Sequence, residues 1–419
     1  MLERPSRDVF ANGLRVLTQP IPHVHSVATG VWAGVGAAHE PAKWGGISHF
    51  VEHMLFKGTE KRDALAIAEE MESVGGSMNA FTGREYTCYY TRSIDEHFDL
   101  SLDLLSDMYL HSIFDPKEFE REKDVIIEEI NMYEDAPDDL VQDLFTATLW
   151  RGHAYGRPVI GTKETVGSLA EADLRAYHAG AYVPENTVVT VAGNVCREQV
   201  LEAVEKYFHF KTASPQTENY GPAPYTSAQA FIKKDIEQTH ICLGLPTFDE
   251  KDADYYPANV LNSILGGGVS SRLFQEAREK RGFCYTVYSY LTHYTKGGNL
   301  CAYASTSPHK TKDLVQVIWQ QMLDLREKEI SQAEIDRAKQ QLKGGLLLGM
   351  ENSSNMMNRL GRMELGPRDI LTVEETVERV MAVSQADIRR VAKRLFDPAR
   401  LVLAEVGPQE SGFELESLL

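Results

Sequence analysis

The second half of the chain repeats the order of elements of the first half, and this repeat limits the folds that the sequence can adopt. In each half, predicted strands come first, followed by a glycine break, further strands and two long helical patterns. An ungapped match supports the repeat: it sets Glu118 against Glu334, Phe119 against Ile335, Arg121 against Arg337 and Lys123 against Lys339. The period is far too long for a solenoid, so the sequence predicts two homologous domains. Helices grouped after strands favour an α+β fold, with the helices on one face of a mostly antiparallel sheet.

The boundary between these domains is predicted from composition. A chain of 419 residues is too long for one ordinary core. Residues 211–228 are rich in Pro, Ser, Thr and Gly and have no apolar period, which is typical of a linker. We therefore predict a first domain over 1–210 and a homologous second domain over 229–419.

Charge and cysteine content narrow the classes of function. The chain has 43 Lys and Arg against 61 Asp and Glu, a net charge of −18, which argues against a duplex nucleic-acid partner and permits cationic substrates. No apolar stretch reaches 18 residues and the start lacks an apolar signal region, so we predict neither a membrane span nor secretion. Five scattered cysteines without a C-x-x-C pair indicate buried thiols in a reducing compartment, by default the cytoplasm.

Several elements around the chemistry can be predicted from local pattern. Asn12-Gly13 predicts a hairpin turn, and an apolar run after Gly45-Gly46 predicts a helix over 47–56. Residues 77–91, rich in Thr, Tyr and Phe, predict one strand, and residues 116–133 predict a long acidic helix.

The most informative segment is G-G-I-S-H-F-V-E-H-M, residues 45–54. His49 and His53 are four residues apart, so both imidazoles project from one face of a helix, and two neutral imidazoles at that spacing suit zinc. Glu52 lies beside the same face and is an acceptor for a proton from metal-bound water. The pattern, H-x-x-E-H, is the inverse of the H-E-x-x-H helix found in a group of zinc proteases. The alternative is a pair of histidines without a metal.

A catalytic zinc usually needs a third protein ligand, and the acidic helix can supply it. Glu122 and Glu129 lie on one stripe of this helix with Val125 and Ile126, whereas Glu128 points elsewhere and is expected to face solvent. The alternative is an ordinary solvated acidic face. The internal repeat favours a metal role, because it sets Ala338 against Glu122 and Gly345 against Glu129, so the second half lacks these carboxylates.

Four segments carry a resemblance to a known family, and they occur in matching order over nearly the whole chain. They are GGISHFVEHMLFKGT (45–59), GGSMNAFTGREYTCYY (75–90), VIIEEI (125–130) and GGGVSSRLFQEAREKRGFCY (266–285). The sequence resembles the pitrilysin and insulin-degrading group of zinc peptidases, in particular the half-length bacterial members that are similar to mitochondrial processing peptidase. The resemblance implies that each chain binds one Zn²⁺ through His49, His53 and Glu129, and that Glu52 activates the water. It gives Glu122 a supporting role beside a ligand or the base.

The resemblance implies that the first domain, 1–210, is catalytic and binds the metal, whereas the second, 229–419, is inactive and contributes substrate-binding residues. It also assigns residues for the substrate. Asn79 and Ala80 match the substrate-binding strand of the family, where a small side chain lets a peptide backbone approach; the alternative is an ordinary sheet strand. Arg278 and Tyr285 resemble a pair that holds a substrate carbonyl and supports the oxyanion, although an arginine in a charged helical run is usually just solvated.

The function implied is a zinc endopeptidase that hydrolyses oligopeptides or unfolded, presequence-like segments. Full-length family members close four such units around the peptide, so a chain with two implies a homodimer that forms a clamshell chamber. Arg278 and Tyr285 would then reach the zinc of the partner subunit. The alternative is a non-catalytic or partner-dependent subunit of a processing-peptidase-like complex.

Overall fold

The computed structural model describes residues 4–210, 219–225 and 227–415. The strands in chain order are β1 Ser6–Val9, β2 Arg15–Pro20, β3 Ser26–Ala33, β4 Ser77–Thr82, β5 Thr87–Ile94, β6 Thr187–Gly193, β7 Ala228–Lys233, β8 Thr239–Thr247, β9 Cys284–Tyr294, β10 Gly297–Thr306 and β11 Val402–Gly407. The α-helices are α1 Ile47–Leu55, α2 Ala64–Ser73, α3 Phe98–His111, α4 Pro116–Asp135, α5 Pro137–Leu149, α6 Lys163–Ser168, α7 Glu171–Ala181, α8 Arg197–Tyr207, α9 Tyr255–Gly266, α10 Thr311–Glu327, α11 Gln332–Gly349, α12 Ser353–Leu365, α13 Val373–Ala382 and α14 Gln385–Leu395.

The chain forms two compact units, each built on one sheet, which confirms the predicted α+β class. The first unit comprises residues 1–131, 157–220 and 348–372, and the second comprises 132–156, 221–347 and 373–419. Each unit therefore includes a segment from the opposite half of the sequence. The domains predicted from composition are contiguous and do not contain these segments. Residues 211–218 and 226 of the predicted linker, 211–228, lie outside the described residues.

The sheet of the first unit has the strand order β1-β2-β6-β3-β5-β4. Strands β1 and β2 pair antiparallel around the predicted Asn12-Gly13 turn, with Val9 opposite Arg15. The single strand predicted over 77–91 is wrong: it is two antiparallel strands, β4 and β5, joined by a tight turn in which the Gly83 N–H donates to the Tyr86 carbonyl at 2.8 Å. The high content of β-formers hid this turn. Strand β4 consequently lies at an edge of the sheet.

Helices cover both faces of this sheet, whereas the sequence predicted helices on one face only; the second face is covered by α12, which comes from the second half of the chain. Val27 and Val31 of β3 join the buried cluster that includes Phe50 of α1 and Leu102 of α3. Side chains alternate along a strand, so the neighbouring Trp32 points to the opposite face. There it is fully buried against α12, whose Gly361 approaches the indole so closely that an added Cβ would lie 2.1 Å from Trp32 Cε2.

The sheet of the second unit has the order β7-β11-β8-β10-β9. Helices α9, α10 and α14 line its main core through Leu261, Ile318 and Val391. Helix α5 packs on β8 and β11, and the ring of Phe145 occupies the space that Gly244 of β8 leaves open. This unit therefore has the same general plan as the first, and it includes one helix, α5, from the first half of the sequence.

Two expectations about the whole chain can be compared with the structure. Within the described residues, no helix combines the length and apolarity needed to cross a bilayer. All five cysteines are free thiols, and four are buried as predicted. The prediction was wrong for Cys196, which is exposed because it precedes α8 at the surface of the first unit.

Candidate metal and catalytic site

The helix α1 that carries the H-x-x-E-H segment begins abruptly at a glycine turn. Gly46 adopts φ 93°, and an added Cβ would lie 2.7 Å from the Ile160 carbonyl oxygen, so only glycine fits there without strain. Glu40, which is 1% exposed, accepts the N–H of Gly46 at 2.9 Å and that of Ser48 at 2.8 Å. A buried carboxylate thus caps the start of α1, where the helix dipole favours negative charge.

The apolar side of α1 faces the core and aligns it with α4. Phe50, Met54 and Leu55 are fully buried. The ring of Phe50 stacks on Phe119 of α4, with centroids 4.9 Å apart and an interplanar angle of 3°. This contact helps to bring the acidic side of α4 against the histidines of α1.

Three potential metal ligands converge between these helices. One ligand atom from each of His49, His53 and Glu129 lies within 4.8 Å of the others. Glu129 Oε2 is 3.6 Å from His49 Nε2 and 3.5 Å from His53 Nε2. The two imidazole nitrogens and one carboxylate are a donor set that catalytic zinc uses, so the residues present fit this ion.

Burial and charge act differently on the two histidines. Burial, together with the nearby His53, lowers the pKa of His49 to about 4 and keeps its imidazole neutral, as a metal ligand must be. Burial also opposes the protonation of His53, but its contacts with Glu122 and Glu129 outweigh this and raise the pKa of His53 to about 9. The contact with His53 holds the pKa of Glu129 below its usual range. The site is therefore electrostatically prepared for a cation.

Glu122 supports His53 from the side opposite Glu129. Its Oε2 lies 3.0 Å from His53 Nδ1, and its Oε1 lies 2.6 Å from Lys57 Nζ. Although burial opposes ionisation of Glu122, its contacts with His53 and Lys57 lower its pKa. A carboxylate on the second ring nitrogen fixes the tautomer and orientation of a ligating histidine.

Glu52 lies on α1 beside the two histidines and contacts strand β4. The hydroxyl of Thr82 donates to Glu52 Oε2 at 2.5 Å. Burial raises the pKa of Glu52, and the Thr82 hydrogen bond opposes this shift. Glu52 is thus a half-buried carboxylate whose proton affinity is increased, which suits a general base.

Asn79 and Ala80 lie on the edge strand β4. Asn79 is exposed, and its Oδ1 accepts the N–H of Ala80 at 2.8 Å. Ala80 is half-buried and packs on the core of the first unit. The structure therefore places both residues next to the strand edge that a peptide could extend.

Arg278 and Tyr285 belong to the second unit, where they contact each other. The Arg278 guanidinium lies 4.4 Å above the centroid of the Tyr285 ring and donates to the Tyr285 carbonyl at 3.0 Å. The Tyr285 side chain is largely exposed, with 77% of its surface accessible. The pair is therefore presented at the surface of its own unit.

The stripe predicted on α4 is only partly correct. Glu122 is buried and Glu128 is exposed, as predicted, but Val125 is exposed although it was placed on the buried stripe. Sequence reasoning also missed Glu40, Lys57 and Thr82. Two of these could have been indicated by the sequence. Strand alternation places Thr82 on the same face as Ala80, and Lys57 follows His53 by four residues.

Family models match most of the chain. The model described as insulinase, peptidase family M16, matches residues 15–163, and the model described as the peptidase M16 inactive domain matches residues 168–342. The uncharacterized zinc protease YmxG of Bacillus subtilis is 40% identical over 385 residues, 92% of this chain and 94% of that protein. The chain belongs to peptidase family M16.

Other similarities agree with this membership. An uncharacterized zinc protease of Mycobacterium leprae is 39% identical to this M16 chain over 410 residues, 97% of the chain and 92% of that protein. The crystal structure of a protease from Helicobacter pylori has a TM-score of 0.91 at 23% identity, covering 97% of this chain and 100% of that one. The family predicted from the motifs is therefore confirmed, and the two-unit fold recurs in solved structures.

Proposed function

We propose that this M16 chain is a zinc-dependent endopeptidase that hydrolyses oligopeptides or unfolded segments. The observation that carries the proposal is that ligand atoms of His49, His53 and Glu129 lie within 4.8 Å of one another. Glu52 lies on the same helix as the two histidines. Two similar proteins are named zinc proteases, which supports the same ion and the same reaction class here.

The chemistry follows from the roles of these side chains. His49, His53 and Glu129 would hold one zinc ion, which would supply an acidified water and polarise the peptide carbonyl. Glu52 accepts a proton from the water while the water oxygen forms a bond to the carbonyl carbon of the peptide. Glu52 then passes that proton to the amide nitrogen as the C–N bond breaks, so one water is consumed and an acid and an amine form. Glu122 keeps His53 oriented throughout.

The edge strand β4 is the proposed substrate platform. Its outer edge offers backbone donors and acceptors to an extended peptide, which then adds as a further strand. Ala80 leaves room for the peptide backbone, and Asn79 is exposed at the same edge. Binding through backbone groups suits unfolded segments, because a folded domain does not present a free extended strand.

We further propose a homodimer in which Arg278 and Tyr285 act on the substrate in the site of the partner subunit. Both side chains are donors, which is the chemistry that a developing oxyanion needs. Mixing Glu52→Gln chains with Arg278→Ala chains tests this arrangement, since each mixed dimer retains one complete site. Partial recovery of activity supports it, and no recovery in dimers shown to have exchanged subunits contradicts it.

For the location of the protein, the five free cysteines fit a reducing compartment such as the cytoplasm.

The decisive experiment separates metal binding from catalysis. Wild type, Glu52→Gln and the matched control Glu128→Gln, an exposed neighbour of Glu129, are assayed for zinc by mass spectrometry and for cleavage of a mixed peptide pool. We expect about one zinc per chain in all three, unchanged cleavage in Glu128→Gln, and at least a ~100-fold loss in Glu52→Gln.

Three results would count against the proposal. Turnover by zinc-loaded Glu52→Gln removes Glu52 as the base, and absence of zinc in the wild type removes the metal site. A zinc-loaded wild type that cleaves peptides only after a second, different chain is added supports the partner-dependent alternative instead.

A further inference from the structure

The side chain of Thr82 connects the edge strand β4 to the carboxylate of Glu52. Thr82 is the last residue of β4, and strand alternation puts it on the same face as Ala80, toward α1. Its Oγ1 donates to Glu52 Oε2 at 2.5 Å. Within the described part of the chain, no second donor contacts Glu52, so its other oxygen, Oε1, is left for a further partner.

The proton of the Thr82 hydroxyl is committed to this bond. A second hydroxyl near it is that of Thr87, directly opposite on β5, with 3.4 Å between the two Oγ1 atoms. Thr87 donates its own proton to the Val35 carbonyl at 3.0 Å. Thr82 is therefore free to donate to Glu52, and a hydrogen bond to an ionised carboxylate is stronger than one between neutral groups.

The backbone that presents Thr82 is held independently of any substrate. The turn after it is closed by a hydrogen bond, and the Gly83 carbonyl accepts the N–H of Ala37 at 3.1 Å. On the opposite face of the strand, the Phe81 ring packs edge-on against Trp32, with centroids 5.6 Å apart. Thr82 is thus a fixed point, whereas an unrestrained glutamate side chain would sample several rotamers.

We propose that Thr82 is a positioning residue that holds Oε2 of Glu52, so that Oε1 is the atom that receives the proton of the attacking water. This inference rests on the proposed peptidase function and adds a residue to it. It also means that the strand proposed to bind the peptide is the one that orients the base. Misplacement of a reacting group by about 1 Å costs on the order of 100-fold in rate.

Three variants separate the hydroxyl from the shape of the side chain. Thr82→Val keeps the shape and removes the hydroxyl, and Thr82→Ser keeps the hydroxyl. Thr91→Val is the matched control, because Thr91 of β5 is fully buried and its hydroxyl has no hydrogen-bond partner among the described residues. Each is measured for zinc content, for kcat and KM on a peptide that the wild type cleaves, and by crystallography without substrate.

We expect Thr82→Val to bind one zinc, to keep KM within about twofold, and to lose about 10- to 100-fold in kcat. Thr82→Ser should remain within a few-fold of wild type, and Thr91→Val should match it. In the crystals, Glu52 should occupy one rotamer in the wild type and Thr82→Ser, and several in Thr82→Val.

Other results overturn the inference in distinguishable ways. A wild-type kcat in zinc-loaded Thr82→Val removes the role, and an equal loss in Thr82→Ser shows that strand shape, not the hydroxyl, matters. A raised KM with unchanged kcat assigns Thr82 to substrate binding. If the zinc-loaded wild type cleaves nothing, the proposed function fails. The crystal structures still test the positioning role in that case, because a single Glu52 rotamer in Thr82→Val overturns it.

Discussion

Glu40 is a carboxylate buried at the start of α1, the helix that carries the two candidate histidine ligands, and Glu40→Gln should change how stability depends on pH. The side chain is 1% exposed and accepts two backbone N–H groups, from Gly46 and Ser48. Burial raises the pKa of Glu40 from 4.5 to about 7, against the opposing effect of these two hydrogen bonds. Glutamine keeps the shape and one acceptor oxygen but cannot ionise.

The sign and size of the effect follow from proton linkage. The folded protein binds the Glu40 proton more tightly than the unfolded chain does. The resulting stability is fully present below the unfolded pKa of 4.5, and it is lost as the pH rises through the folded pKa of about 7. With those two values, the contribution of Glu40 to the free energy of unfolding falls by roughly 2.5 kcal/mol between pH 5 and pH 8.

The assay compares metal-free wild type and Glu40→Gln in urea at pH 5 and pH 8, following hydrogen exchange of peptides that cover residues 45–55. The difference in unfolding free energy, wild type minus variant, should fall by about 2.5 kcal/mol from pH 5 to pH 8. Glu128→Gln, at an exposed position of the same unit, should show no such change. A difference for Glu40→Gln that is equal at both pH values would refute the reasoning, because it would mean that burial does not perturb this carboxyl.

Two further substitutions probe contacts that support the site and the sheet. Lys57→Met removes the 2.6 Å ion pair that holds Glu122, so zinc affinity should fall about 10-fold, measured by competition with a chelating indicator; unchanged affinity would show that Glu122 needs no such support. Gly361→Ala pushes a methyl group into the buried Trp32 ring and should destabilise the first unit by about 1–3 kcal/mol, read as a lower melting temperature. Gly344→Ala is its control, since an added Cβ there has no neighbour within 4 Å, and it should melt at the wild-type temperature or slightly above.

Several features of the site could be predicted because they depend on neighbours in the sequence. His49 and His53 share a helix face at any position in a fold, since their spacing is a property of the helix itself. The Asn12-Gly13 hairpin is local in the same way. By contrast, the turn inside 77–91 is missed, because Phe81 and Thr82 before it and Tyr86 and Thr87 after it favour strands, and the turn depends on the hydrogen bond between Gly83 and Tyr86.

The sequence by itself determined the α+β class, the repeated units and the candidate ligands. Local periodicity predicts the order of strands and helices, and helical spacing predicts which side chains share a face. Only the tertiary structure decided which distant groups meet. The 2.5 Å bond from Thr82 to Glu52 and the capping of α1 by Glu40 depend on how strands and helices pack. The same holds for α5 and α12, which pack in units other than those of their sequence neighbours. Such pairings follow from the burial of apolar surface across the whole chain, which no short window of sequence contains.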